Sequence, residues 1–209
     1  MKEIFHHYFL SMTRPFWLHE QLKLNRDNTA KIISFDFVEV LSISWLMMVI
    51  KGIYSVIALL IGLEWMAGTT GEGQSFALDL WSKQTQKITL YVIILEVILF
   101  PMTLYFYAKF WAVILKFFCV LFNREEQNTE QITSEIINHS LVSNFFLIIP
   151  IFGGLIRHIA GLFYLFAGLR RNLGFNVLQS LMVLTAPLIL LLFILFLTLL
   201  YIVLIISMI

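Results

Sequence analysis

The sequence predicts an all-α integral membrane protein: five transmembrane helices preceded by an amphipathic N-terminal interfacial helix. Three observations carry this. Hydrophobic residues make up 60% of the 209 positions and charged residues 13%, against about 45–50% and about 25% in soluble domains. Mean hydropathy is +0.89. The few charges also cluster, and none occurs from Asn172 to Ile209. A water-facing surface cannot be assembled from such material. A soluble enzyme, a disordered tail and a disulfide-stapled secreted module are therefore excluded. The net charge of +1 gives no field to gather nucleic acid, so the expected partner is the lipid bilayer. The single cysteine, Cys119, can close no internal disulfide and no metal site. His6 and His7 interrupt the first apolar stretch and no small-residue cleavage site follows, so no cleavable signal is expected.

The elements follow in order. Residues 1–40 form a cytoplasmic lead and residues 41–209 the bundle. In the lead, Ile4, Phe5, Tyr8, Phe9, Met12, Phe16, Trp17 and Leu22 fall mostly at helical spacing, with Lys2, Arg14, His19, Glu20 and Lys23 between them. An aromatic apolar face with interspersed cations suits a helix lying on the inner leaflet, or a cap packed under the bundle. Pro15 breaks or restarts it, and Arg14, Pro15, Phe16 and Trp17 are its expected interfacial anchor.

A helical crossing takes about 20 apolar residues. Residues 41–63 supply one, interrupted by Lys51, and residues 88–122 a second, containing Glu96, Pro101, Lys109 and Lys116. The apolar run 136–168 holds Pro150 and the pair Gly153-Gly154 near its middle. Such a break predicts a tight hairpin of two spans, 136–152 and 155–169. Residues 181–206 make the last span. Between them lie a loop at 64–87 with a glycine cluster from Gly68 to Gly73, an acidic polar loop at 123–135, and a short basic loop at 170–176. With the N-terminus inside, the inner segments carry eight Lys and Arg (Lys2, Arg14, Lys23, Arg26, Lys31, Arg124, Arg170, Arg171) and the outer ones three (Lys83, Lys87, Arg157). The positive-inside rule then predicts a cytoplasmic N-terminus and an external C-terminus.

Polar residues at membrane depth are functional candidates. Lys51 lies near the middle of the first span, and Glu96 about 12 Å into the second from the outer side at 1.5 Å per residue. As antiparallel neighbours they can meet. The readings are a register-fixing ion pair, a substrate or proton pathway, or a snorkelling lysine. Arg157 falls on the same outer half, so Lys51, Glu96 and Arg157 are expected to form one intramembrane cluster. His139, Asn144 and His158 are further polar or titrating candidates, with His139 expected near the inner interface, where an imidazole is cheap. Lys109 and Lys116 share a face and are expected to anchor to anionic head groups. Gly154, Gly161 and Gly168, spaced by seven, line one helix face and permit close packing with a neighbour, within the chain or in a homo-oligomer. No metallopeptidase, hydrolase-elbow or phosphate-loop motif occurs. No enzyme activity, cofactor or metal is expected.

The succession of Arg14-Pro15-Phe16-Trp17, a long loop after the first span, a polar-started third span from Ser140 to Pro150, Gly153-Gly154, an aromatic fourth span ending in Gly168-Leu169, a short basic loop and Ala186-Pro187 resembles the Ypt-interacting-protein (Yip) family of five-span membrane proteins, in particular its bacterial branch. The acidic Asp-Leu-Tyr-Gly-Pro lead of the eukaryotic members is only echoed by the residues from Arg14 to Leu18. The resemblance implies a five-helix bundle in a bacterial inner (cytoplasmic) membrane, a cytoplasmic N-terminus, and a non-enzymatic role in organising membrane or binding a membrane-protein partner. The alternative function is a small transporter or channel subunit working through Lys51, Glu96 and Arg157.

Overall fold

The computed structural model describes residues 2–27, 35–69, 83–124 and 128–208, and every element among them is helical. The lead folds as two short helices, α1 (Lys2–Thr13) and α2 (Pro15–Asp27). Pro15 restarts the chain at the first position of α2, where its missing N–H costs nothing and its fixed φ suits the helix. The long helices α3 (Phe37–Thr69) and α4 (Lys83–Leu121) follow. Next come α5 (Thr129–Leu141), a 3-10 run (Val142–Ile148), α6 (Gly153–Arg171) and α7 (Val177–Met208).

Three helices are long and apolar enough to cross a membrane, over Phe37–Gly62, Gln84–Leu121 and Val177–Ile206. These are extended forms of the first, second and last expected spans. The two middle spans need correction. The region expected to cross at 136–152 holds only the end of a 13-residue helix that begins at Thr129, followed by a 7-residue 3-10 run. The region expected at 155–169 is a 19-residue helix that carries Arg157 and ends on Arg170 and Arg171. Hydropathy counting made two spans of a stretch that instead turns polar side chains inward. The expected loop at 123–135 is likewise helical from Thr129. The helical ends of the 64–87 loop reach Thr69 and resume at Lys83, and the remainder of its glycine cluster lies outside the described residues.

The hairpin turn falls at Pro150, as the Pro and Gly pair predict. Ile151 takes φ 65° there, a left-handed conformation costing a β-branched residue roughly 1–2 kcal/mol, and its side chain is 92% exposed. Gly153 follows because a Cβ would press on the Phe146 carbonyl oxygen.

Antiparallel α3 and α4 are joined where Trp45 Nε1 donates to the Val97 carbonyl at 3.1 Å. The hairpin wedges against both, and Tyr54 OH of α3 donates to the Leu147 carbonyl near its tip at 2.7 Å. Val40, Leu104, Leu115, Ile136, Val142, Leu165 and Leu169 make the shared core. Helix α7 joins it through Val183 alone among its fully buried apolar residues, and every residue from Leu188 to Ile206 is exposed. Nineteen consecutive apolar or hydroxyl residues facing outward have no place in water. A bilayer is the solvent that such a helix requires.

Candidate functional site

The polar residues of α5 and the 3-10 run are the unusual part of this molecule. Glu135, Asn138, His139, Ser140, Ser143 and Asn144 are all buried, and buried polar groups need partners. Most have them, and the partners join separate elements. Asn138 Nδ2 donates to the Phe35 carbonyl at 2.8 Å. Asn144 Nδ2 donates to Ser44 Oγ of α3 at 3.0 Å. Glu135 Oε2 accepts from Asn172 at 3.4 Å. Tyr8 OH of α1 donates to the Val142 carbonyl at 3.3 Å, and Tyr164 OH of α6 donates to the Met12 carbonyl at 3.2 Å. The seam thereby clamps the lead and α3 onto the hairpin.

At its lower end sits a histidine pair. His139 Nδ1 shares a hydrogen bond of 2.8 Å with Ser11 Oγ of α1. Its ring meets that of His19 from α2 edge-to-face, with centroids 5.1 Å apart. His139 is thus a core residue, 3% exposed, not the interfacial group expected from its position. His19 Nδ1 and His139 Nε2 find no partner among the described residues. Burial pushes His19 down to about 4. Burial, then the proximity of His19 and His7, also holds His139 well below its ordinary value. Ser11 and His19 were not among the expected site residues. The signal was present: Tyr8, Ser11, Pro15, Leu18, His19 and Leu22 form one helical stripe, all buried, but two of its members are polar. Replacing Ser11 by alanine leaves the His139 Nδ1 position without its partner and should cost about 1–3 kcal/mol. Thermal unfolding of the purified protein reads this, and a Ser11→Ala/His139→Leu double variant should lose less than the sum of the singles.

The four-residue anchor divides by face. Pro15 is buried, and Phe16 packs edge-on against Phe163 of α6 with centroids 5.5 Å apart. Arg14 and Trp17 face outward. The glycine stripe divides too. A Cβ on Gly168 would lie 2.7 Å from Ile136 Cγ2 and 3.2 Å from His19 Cε1, and one on Gly161 3.1 Å from Ser143 Oγ, whereas Gly154 faces open space. Two of the three allow the close approach of α6 to the seam; Gly154 does not, and Gly153 is the tightly packed member of its pair.

Higher on the bundle, Lys51 Nζ donates to Glu96 Oε1 at 2.8 Å. The pair lies on the flank of the bundle, with side chains 27% and 51% exposed. The groove beside it is walled by Gly52, Ile53, Ile93 and Val97 and is almost wholly apolar. Arg157 does not join them. Its guanidinium lies 5.6 Å from the centroid of the Phe100 ring, and no ion pair among the described residues includes it. The expected three-residue cluster is therefore a pair and a separate arginine, which faces a cavity with Asn144 and His158. Exchanging the charges, Lys51→Glu with Glu96→Lys, should restore the accumulation that either single change lowers. Each single change leaves two like charges at a depth where one unpaired charge costs about 2.5–3.5 kcal/mol. Lys116 pairs with Glu130 and Lys109 lies 5.6 Å over the Tyr105 ring, so neither is a bare head-group anchor. Among the described residues no group of His, Cys, Asp and Glu is placed to hold a metal.

Fold and site together define an all-helical integral membrane protein with a clamped polar seam. Compared with family models, curated proteins and solved structures, the chain matches none.

Proposed function

We propose that this protein works without chemistry of its own, as a membrane-organising or partner-binding component of Yip type in a bacterial inner membrane, with its N-terminus in the cytoplasm and its C-terminus outside. The observation that carries this reading is the two-faced lead. One face of α1 and α2 is spent on the bundle. The other presents Phe9, Trp17 and Leu24, 63%, 46% and 55% exposed, with Arg14 and Lys23 among them. Aromatic groups beside cations, held on a rigid base, suit a lipid interface or the surface of a membrane-protein partner. The Lys51–Glu96 contact supports the same reading. A pair on a flank beside an apolar groove fits register between α3 and α4 better than a conduction pathway.

A photoreactive residue at Phe9 or Trp17, activated in native membranes, should give discrete protein adducts that one at Leu46 does not. Reconstituted vesicles should show no uptake of ions or solutes above protein-free vesicles. Uptake that Lys51→Gln abolishes would overturn the proposal in favour of a transporter.

A further inference from the structure

Arg157 lies near the start of α6, far from Arg170 and Arg171 at its other end. It stands fourteen residues before Arg171, about 21 Å along α6 at 1.5 Å per residue. Around it stand the Tyr107 phenol, Ser143, Asn144 and His158 among apolar groups, with no carboxylate in the cavity wall. Glu96, the carboxylate within electrostatic reach, is hydrogen-bonded to Lys51. A half-buried guanidinium without a carboxylate partner gains from another acceptor. Phe100 offers only its ring face, a weak substitute worth about 0.5–2 kcal/mol.

Beside Arg157 is a cavity of about 140 Å³, walled by Leu104, Tyr107, Trp111, Ser143, Asn144 and Leu162, with His158 at its edge. Two of its polar side chains, Ser143 and Asn144, are 5% and 1% exposed. The Asn144 amide is committed to Ser44. The Ser143 hydroxyl is not tied up in a hydrogen bond among the described residues, and it lines the cavity. Two donors, a charged fork and a hydroxyl, thus line one small space, and no acidic residue lines it. A fork of N–H groups with a neighbouring hydroxyl matches an oxyanion, whose oxygens accept in pairs.

We propose that this cavity binds a single oxyanion group, held by the guanidinium of Arg157 and the hydroxyl of Ser143. The volume admits a carboxylate or phosphate but not a whole lipid. Trp111 and Leu104 supply the apolar wall that strengthens the charge pairing by excluding water. Leu162, 44% exposed at the rim, leaves room for an acyl chain to run out along the bundle. The bound group is the carboxylate of an acyl chain or a free inorganic oxyanion, and the two are separable by experiment. This inference stands independently of the role proposed above.

The test is thermal unfolding in a neutral maltoside detergent with sodium decanoate, sodium phosphate, or decanol as the uncharged control. At a hundredfold excess over Kd, a bound anion should raise the melting temperature by about 5–10 °C. A rise with decanoate alone identifies an acyl carboxylate. A rise with phosphate as well identifies a small free oxyanion. Decanol should do neither. Arg157→Gln should abolish the response. Ser143→Asp is the second arm: it sets a carboxylate of the chain's own against Arg157, so the variant should melt no lower than the unmodified protein without anion and should ignore added anion. No response to either anion, or an undiminished response in Arg157→Gln or Ser143→Asp, would overturn the proposal. So would a Ser143→Asp protein that fails to fold, because a free guanidinium would neutralise the new carboxylate.

Discussion

Gly168→Leu should unseat both α2 and α5 from α6 and lower stability by several kcal/mol. Even a methyl group at this position would lie 2.7 Å from Ile136 Cγ2 and 3.2 Å from the His19 ring. Ile136 is fully buried and β-branched, so its γ-carbons have no free rotamer to retreat into. Overpacking by a single methylene costs about 1–3 kcal/mol. Leucine adds more than one and forces α6 away from two helices together. Gly168→Ala should lose roughly the lower end of that range. Gly154→Ala, with nothing within 4 Å of its new Cβ, should lose nothing by packing and gain slightly through helix propensity. Melting temperatures of the three variants in one detergent check the order. A Gly154 variant as damaged as the Gly168 variants would refute the assignment of the close-packed face.

Acidification should release the N-terminal helices. When α1 and α2 are undocked, the His19 imidazole titrates near 6.5, and when they are docked it stands at about 4. Between those values the undocked form binds the extra proton, so docking weakens as pH falls below about 6.5 and is undiminished above it. A full shift of that size is worth about 3 kcal/mol for one histidine at 1.36 kcal/mol per unit. His139, lowered in the same direction, adds to it. The groups around the pair do little to offset this. His7 is a further base, Ser11 is neutral, and Glu20 reaches out to Arg171 at 3.8 Å across the rim. Glu135, one turn from His139 on α5, accepts from Gln131 and Asn172. Trypsin cleavage at Lys23, followed from pH 7.5 to 5, should therefore accelerate severalfold on acidification. His19→Phe, which keeps the aromatic contact and cannot take a proton, should flatten much of that response. An unchanged response in His19→Phe would mean that a different group controls docking.

Which parts of this were legible in the sequence follows from how local each feature is. The long apolar runs that became α3, α4 and α7 were plain, because crossing length is a property of one segment. The depth count that set Lys51 and Glu96 at one level needed only a helical rise and antiparallel neighbours. The break at Pro150 was readable from the ring that removes an N–H. The hairpin was less so. Asn138, His139 and Asn144 look like an interfacial start to a span when only hydropathy is counted. In three dimensions they turn inward to Phe35, Ser11 and Ser44, partners about 100 or more residues away along the chain. The Gly154–Gly161–Gly168 spacing was real as a helical face, but a repeat of seven drifts about 20° per repeat on a straight helix, and at the start of α6 it is Gly153, not Gly154, that meets the hairpin. Arg157 was grouped with Glu96 by depth alone. Depth is one coordinate, and the rotation of α6 directs the guanidinium to Phe100 instead.

The polar seam is closed by α1 and α2 seated on α6, where the histidine pair and Gly168 meet beside the exposed aromatic face. A short bismaleimide between Glu20→Cys and Arg171→Cys, in a Cys119→Ser background, measures that seating directly. Those side chains lie 3.8 Å apart at their nearest atoms and are half exposed. In native vesicles at pH 7.5 the crosslink should form efficiently within one chain, and it should fall away at pH 5. Absence of the crosslink at pH 7.5, with both cysteines shown to be reactive, would contradict the docked lead.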